Sequence, residues 1–223
     1  AAGRVRASRR AQLIMDGANI KAGMDVLEIG CGTGNFTEVF ATSGANITAV
    51  DISPDLLELA FQRNLDSRRV KFLEGRFEEI DTVQYFDAII GSSVLHHLDL
   101  QSALVKIHRL LKPGGVLSFA EPNMMNPQVY AMFNFAFLKE KFGVSPDERA
   151  FYRWRIKKQI RAKGFIEILV KPFDFLHPSI PPRNIDFVGR LGNFFETLPL
   201  IREFAGSLYI FARKPNLPLG MCL

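Results

Sequence analysis

The sequence predicts an α/β fold: a seven-stranded, mostly parallel sheet with an antiparallel last strand and helices on both faces. Three observations carry that expectation. Short apolar, β-branched runs alternate with helical stretches along the chain, the pattern of a parallel sheet crossed by helices. Gly30, Gly32 and Gly34 follow the first such run directly, where a strand must turn sharply into a helix. At 223 residues the chain suits a single domain, 1–223, long enough to bury a core on both faces of the sheet.

Residues 5–18 read as a helix within an N-terminal arm, 1–20. Val26, Leu27 and Ile29 form a short buried-strand run at 25–30, interrupted by Glu28. The glycine turn leads into a helix over 35–43, and NITAVDI at 46–52 carries a second strand that closes on Asp51. Ser53 and Pro54 then open a helix over 54–64: serine as N-cap, proline at the first helical position, and Asp55 at the positive end. Strands are placed at 70–74 and 86–91, a helix at 101–111, and a strand at 115–121 behind a Pro-Gly-Gly turn. Helices at 127–141 and 149–163 precede strands at 165–171 and 207–213.

Two segments exceed that minimal alternation. Residues 122–148 carry Tyr130, Phe133, Phe135 and Phe137; residues 173–204 carry Phe175, Phe187, Phe194 and Phe195 among prolines. Both leave strands on the side where open α/β sheets bind ligands, so they are expected to form the walls and lid of a substrate pocket. Most of their aromatics are expected to be packed as core, with a few facing the ligand.

Composition narrows the function classes. An apolar content of 48% with 23% charged residues is that of an ordinary globular protein. No apolar run approaches the roughly 18 residues of a membrane span, and no signal peptide is visible. Two cysteines, Cys31 in the glycine turn and Cys222, make no disulfide framework, which points to a reducing cytoplasm. The net charge of +5 is concentrated in Arg4, Arg6, Arg9 and Arg10 and in a helix carrying Arg153, Arg155, Lys157, Lys158, Arg161 and Lys163. Such surface suits nucleic acid, anionic lipid or a phosphorylated substrate, but a plain solvated helix face is the expectation.

A dinucleotide-binding turn has the spacing G-x-G-x-x-G. Here Asn35 holds the place of the third glycine, which comes one residue earlier as Gly34. With Glu28 before the turn, Asp51 after it, FDAIIGSSVL followed by His96, His97 and Leu98, and LLKPGGVLSFAE at 110–121, the series resembles the motifs of small-molecule-type class I S-adenosylmethionine-dependent methyltransferases. That resemblance spans 25–121 and implies a Rossmann-like sheet with S-adenosylmethionine as cofactor and S-adenosylhomocysteine as product. It also implies that Gly30 and Gly32 admit the cofactor, Glu28 organises its ammonium side, Asp51 accepts the ribose hydroxyls and Ile52 packs on adenine. After the third strand the family has Gly-Asp, whereas this chain has Gly75, Arg76, Phe77 and Glu78. Arginine cannot accept a hydrogen bond from the adenine amine. The Phe77 backbone N–H is carried over, with Arg76 stacking on the base or pointing outward and Glu78 a substitute acceptor. Ser92, with Gly91 and Ser93, is expected beside the sulfonium.

Methyl transfer from a sulfonium needs placement first, and a base where the nucleophile is a hydroxyl. His97 and His96 are the candidate bases; Glu121, Asn123 and Tyr130 are candidate substrate contacts; Cys31 is expected to be packed; no metal is expected. The loop after the fourth strand lacks the Asn/Asp-Pro-Pro-aromatic signature of nucleobase and glutamine methyltransferases. The resulting expectation is methylation of a small or medium acceptor, preferably on oxygen: a lipid-linked, polyketide-like or saccharide intermediate. The partners expected are that acceptor and, peripherally, anionic lipid, with no nucleic acid, in a monomer or weak dimer. The alternatives are a protein or RNA methyltransferase docking through basic surface, and a non-catalytic interaction module of the same fold.

Overall fold

A computed structural model describes residues 1–143, 145 and 148–216, so Cys222 lies outside the described residues. Strands β1 (Asp25–Ile29), β2 (Asn46–Asp51), β3 (Val70–Glu74), β4 (Phe86–Ser92), β5 (Leu111–Pro122), β6 (Ile166–Phe173) and β7 (Ser207–Arg213) form a seven-stranded sheet. Their order is β3-β2-β1-β4-β5-β7-β6, with β7 antiparallel to both of its neighbours. The fold class and all seven strands expected from the sequence are present. Strand order reverses between β1 and β4, which opens the crevice where such sheets bind ligands.

Side chains alternate across the sheet. Val26, Ile47, Ala49, Ala88 and Ile90 face α1 (Ala2–Gly17), α2 (Asn35–Ala41) and α3 (Pro54–Phe61) through Ile14, Phe40 and Leu57. Leu27, Ile29 and Ile89 face the other way, toward α4 (Leu100–Leu110) and α7 (Arg153–Ala162) through Leu104, Ile107, Ile156 and Ile160. Burial of each such side chain contributes about 1.5–3 kcal/mol. Ser53 caps α3 as expected, its hydroxyl accepting from Leu56 N, with Pro54 at the first helical position.

Element boundaries differ in places with identifiable causes. β5 starts at Leu111 because Gly115 lets the chain hug β4: a Cβ there would stand 2.9 Å from the Lys112 carbonyl and 3.1 Å from that of Asp87. The helix expected over 127–141 is broken into α5 (Pro127–Asn134) and α6 (Ala136–Phe142). Asn134 Nδ2 donates to the Tyr130 carbonyl at 2.8 Å, taking an acceptor that the helical ladder uses. The second insertion carries α8 (Ile185–Thr197), hidden from sequence reading by Gly189 and Gly192.

Both insertions emerge at the C-terminal ends of β5 and β6. The expectation that most of their aromatics are core is corrected: Tyr130, Phe135, Phe137, Phe187 and Phe194 are exposed, and Phe133 is buried. Short helices that cap strand ends bury little of their circumference.

Three of the N-terminal arginines, Arg6, Arg9 and Arg10, are likewise not a free solvated face, while Arg4 is exposed. Arg6 Nε donates to Asp174 at 2.7 Å, and Arg9 forks onto Glu196 at 2.8 and 2.7 Å. Arg10 donates to the Ser93 and Ser207 hydroxyls at 3.0 and 2.5 Å. Helix α1 is thereby bolted across the ligand side of the sheet.

Candidate cofactor and acceptor site

The glycine turn is held against the end of β2. Gly30 N and Cys31 N both donate to the Val50 carbonyl, at 2.8 and 3.0 Å. Gly30 stands at φ 70°, and a Cβ there would lie 2.7 Å from Val94 Cγ2, so the position requires glycine. Gly34, at φ 73°, starts α2, and its missing side chain lets the turn lie against Ala60 of α3. Cys31 is packed and buried, and burial raises its thiol pKa, which keeps it protonated and inert.

Glu28 sits below this turn, buried, accepting from Thr37 Oγ1 at 2.7 Å. Burial pushes its carboxyl up to about 7, opposed by the Thr37 bond and reinforced by the charge of Asp51. Asp51 closes β2 and ties two loops together. Its Oδ2 accepts from Gly32 N at 2.7 Å, and its Oδ1 accepts from Ser53 N at 3.0 Å. A carboxylate has about four lone-pair sites, so two acceptors remain for a diol.

Asp51 lines a cleft of about 420 Å³, walled by Ile29, Val50, Ile52, Val94 and Leu98. Ile52 is exposed there, an apolar surface available to a flat ring. Gly75, Arg76, Phe77 and Glu78 form the far rim. The Phe77 ring turns into the core, with Lys106 Nζ 5.3 Å from its centroid. Lys106 also donates to the carbonyls of Glu78 and Ile80, at 3.0 and 2.5 Å, and so fixes the rim from α4. Arg76 is exposed and pairs with Glu79 at 3.5 Å. Apolar walls, a floor carboxylate and a side-chain-free turn fit a nucleoside bearing a charged tail. S-adenosylmethionine fits that donor set.

At the end of β4 the residue lining the cleft is Ser93, held at φ 56°, rather than Ser92. Ser92 remains in the strand with its hydroxyl buried and unpartnered. Next in the chain, the two histidines part ways. His96 Nδ1 lies 2.8 Å from Glu121, a wholly buried carboxylate whose other oxygen accepts from Val94 N and Leu95 N at 2.9 Å. His97 faces the cleft, half exposed, with Nδ1 3.1 Å from Glu148. Glu148 escaped the sequence reading: it lies far along the chain in an irregular segment with no motif to mark it.

The expected substrate contacts need correction. Glu121 spends both oxygens bracing the loop after β4. Asn123 is buried as well, donating to the carbonyls of Glu203 and Ala205 at 2.8 and 2.7 Å and accepting from Met125 N. Tyr130 is exposed on α5 and does not line the cleft. His96, His97 and Glu148 bring ligand atoms within 4.8 Å of one another and could hold a metal ion.

Comparisons with known proteins agree with this geometry. A family model described as a methyltransferase domain matches residues 27–119. Malonyl-[acyl-carrier protein] O-methyltransferase of Priestia megaterium is 30% identical over 198 residues, 86% of this chain and 70% of that protein. A ubiquinone biosynthesis O-methyltransferase of Xanthomonas oryzae is 35% identical over 115 residues, covering 50% of this chain and 48% of the relative, so the match spans about half the relative's length. A solved Thermotoga maritima protein, described as a possible histamine N-methyltransferase, superimposes with a TM-score of 0.69 at 20% identity, over 96% of this chain and 91% of its own. Phosphoethanolamine N-methyltransferase 2 of Haemonchus contortus, solved with S-adenosylmethionine, gives a TM-score of 0.68 at 18% identity, over 94% of this chain and 53% of its own. The chain belongs to the class I S-adenosylmethionine-dependent methyltransferases, and S-adenosylmethionine is its cofactor.

Proposed function

We propose that this enzyme methylates an oxygen atom of a small or medium acceptor, with His97 taking the hydroxyl proton. The observation that carries the reading is the His97–Glu148 pair on the wall of the Asp51 cleft. The names of the two O-methyltransferase relatives support oxygen as the acceptor atom.

In this reading Asp51 holds the ribose, Ile52 and the Phe77 backbone hold adenine, and Gly30, Gly32 and Glu28 receive the amino-acid tail. The cofactor supplies a methyl group already activated on a sulfonium. With Nδ1–H turned to Glu148, His97 presents Nε2 as a base. The acceptor hydroxyl gives its proton to Nε2 as its oxygen takes the methyl, and the half-exposed ring passes that proton to water. Glu121 acts at one remove, holding His96 and the Val94–Leu95 backbone so that His97 stays in place. Lipid-linked, polyketide-like and saccharide acceptors remain the chemical range, and the cytoplasm the proposed location. No helix of the described residues is long and apolar enough to cross a membrane. The RNA- or protein-docking alternative loses most of its N-terminal support, because Arg6, Arg9 and Arg10 are engaged within the chain and Arg4 alone of the four is exposed.

An acceptor library assayed with methyl-labelled cofactor identifies the substrate, and His97→Ala tests the base. Positioned bases contribute about 100-fold or more, so kcat/KM in His97→Ala should fall by that much while cofactor affinity is unchanged. A kcat/KM in His97→Ala close to that of the wild type would remove the base assignment.

A further inference from the structure

Helix α8 turns its apolar side outward. Phe187, Leu191 and Phe194 stand at i, i+4 and i+7, one stripe of the helix, and are 70%, 39% and 57% exposed. The side packed against the molecule holds Gly192 and Glu196 instead. Their partners fix that orientation: Gly192 fits against Phe175, and Glu196 accepts from Arg9 and from Asp174 N. Beyond the helix, Leu200, Ile201 and Phe204 are exposed as well. The other insertion repeats the pattern, since α6 buries no side chain and exposes Phe137 and Phe142. A surface helix ordinarily buries its apolar stripe, and an exposed apolar patch rimmed by charge marks an interaction surface.

The rim is basic. Residues 127–204 hold thirteen lysines and arginines against eight acids, so this stretch carries all of the net charge of +5 and the rest of the chain is neutral. Three of the eight acids are taken by arginines: Asp174 by Arg6, Glu196 by Arg9 and Glu203 by Arg153. Beside α8, Arg183 and Arg190 are exposed against the one exposed acid of that helix, Asp186, and neither arginine has an ion-pair partner among the described residues. An apolar stripe flanked by cations is the composition of a helix that lies in the interface of an anionic bilayer. A second copy of the chain would bring like charges together. Nucleic acid stacks on aromatic rings but gives Leu191, Leu200 and Ile201 nothing to bury against.

We propose that this face docks on an anionic membrane, with the stripe of Phe187, Leu191 and Phe194 in the boundary between headgroups and acyl chains and with Arg183 and Arg190 among the lipid phosphates. The docking goes beyond the acceptor reading and stands whether or not His97 is the base. It turns the end of the sheet from which both insertions rise toward the bilayer.

Cosedimentation of the full chain with vesicles of phosphatidylcholine alone, or of phosphatidylcholine with about one third phosphatidylglycerol, tests it. The anionic vesicles should bind about tenfold or more tightly, and the difference should shrink as salt rises. Phe187→Ser combined with Phe194→Ser removes the stripe and should abolish pelleting while S-adenosylhomocysteine affinity stays unchanged. Each basic residue at an anionic surface contributes about fivefold, so Arg183→Glu combined with Arg190→Glu should weaken binding by about 25-fold or more. That second variant serves if the first does not fold. A wild-type chain that pellets with neither vesicle, or equally with both, overturns the proposal. Pelleting that survives loss of both phenylalanines but not the charge reversal is plain electrostatic adsorption and overturns the insertion of α8. A wild-type dimer that the serine variant dissolves gives the stripe to a second copy, and RNA retention lost in both variants gives it to nucleic acid; either result overturns the membrane assignment.

Discussion

Glu28 occupies a buried position where its protonated form is favoured, with a carboxyl pKa of about 7 against the ordinary 4.5. Between those values the unfolded chain loses its proton while the folded chain keeps it, so the stability that Glu28 contributes falls as pH rises and is gone above 7. The difference corresponds to about 3 kcal/mol. Glu28→Gln keeps an acceptor for Thr37 and removes the titration. Urea unfolding from about pH 4 to about pH 8 should show the variant gaining about 3 kcal/mol on the wild type. A pH-independent difference would contradict this account of the buried carboxyl. The residues legible in the sequence were those tied to local backbone geometry: the glycines, Asp51 at the end of β2, and Ser53 as a cap. Glu121, Asn123 and Glu148 were misread or missed because their partners are distant in sequence. A carboxylate at a strand end looks the same whether it meets a substrate or two backbone N–H groups.

The elements divide in the same way. Strands β1 to β4 and helix α3 follow from alternation, turn glycines and capping residues, all local signals. The break between α5 and α6 depends on an Asn134 side chain competing for a carbonyl, and α8 depends on Phe175 packing where Gly192 leaves room. The N-terminal arginines were invisible as structure because Asp174, Glu196 and Ser207 lie at the other end of the chain. Helix α1 therefore depends on them more than its composition suggests. Glu196→Ala removes both hydrogen bonds of Arg9 and the acceptor of Asp174 N, at 2.8 Å. Arg9 is partly exposed, so the cost rests mainly on the buried Asp174 N–H left without its acceptor, about 2 kcal/mol, measurable by urea unfolding. By contrast, Arg213→Ala breaks the exposed pair with Glu167 and should cost about 1 kcal/mol or less. Equal costs for the two variants would mean that α1 is not anchored in this way.

At the scale of the whole molecule, the reversal of strand order between β1 and β4 sets the cofactor cleft, and the two insertions rise beside it from the ends of β5 and β6. Ser93 lines that cleft and accepts from Arg10 of α1, which ties the N-terminal helix to its rim. The family was legible because its motifs hug the sheet; the acceptor was not, because the segments beyond 121 carry no motif. The central claim is that S-adenosylmethionine binds in the cleft floored by Asp51. Calorimetric titration of S-adenosylhomocysteine into the wild type and Asp51→Ala tests it most directly. The wild type should bind, and the variant, which loses the acceptor for the ribose and the tie to Gly32 N, should bind about tenfold or more weakly. Wild-type affinity in Asp51→Ala, or binding of NADH in place of S-adenosylhomocysteine, would contradict the account.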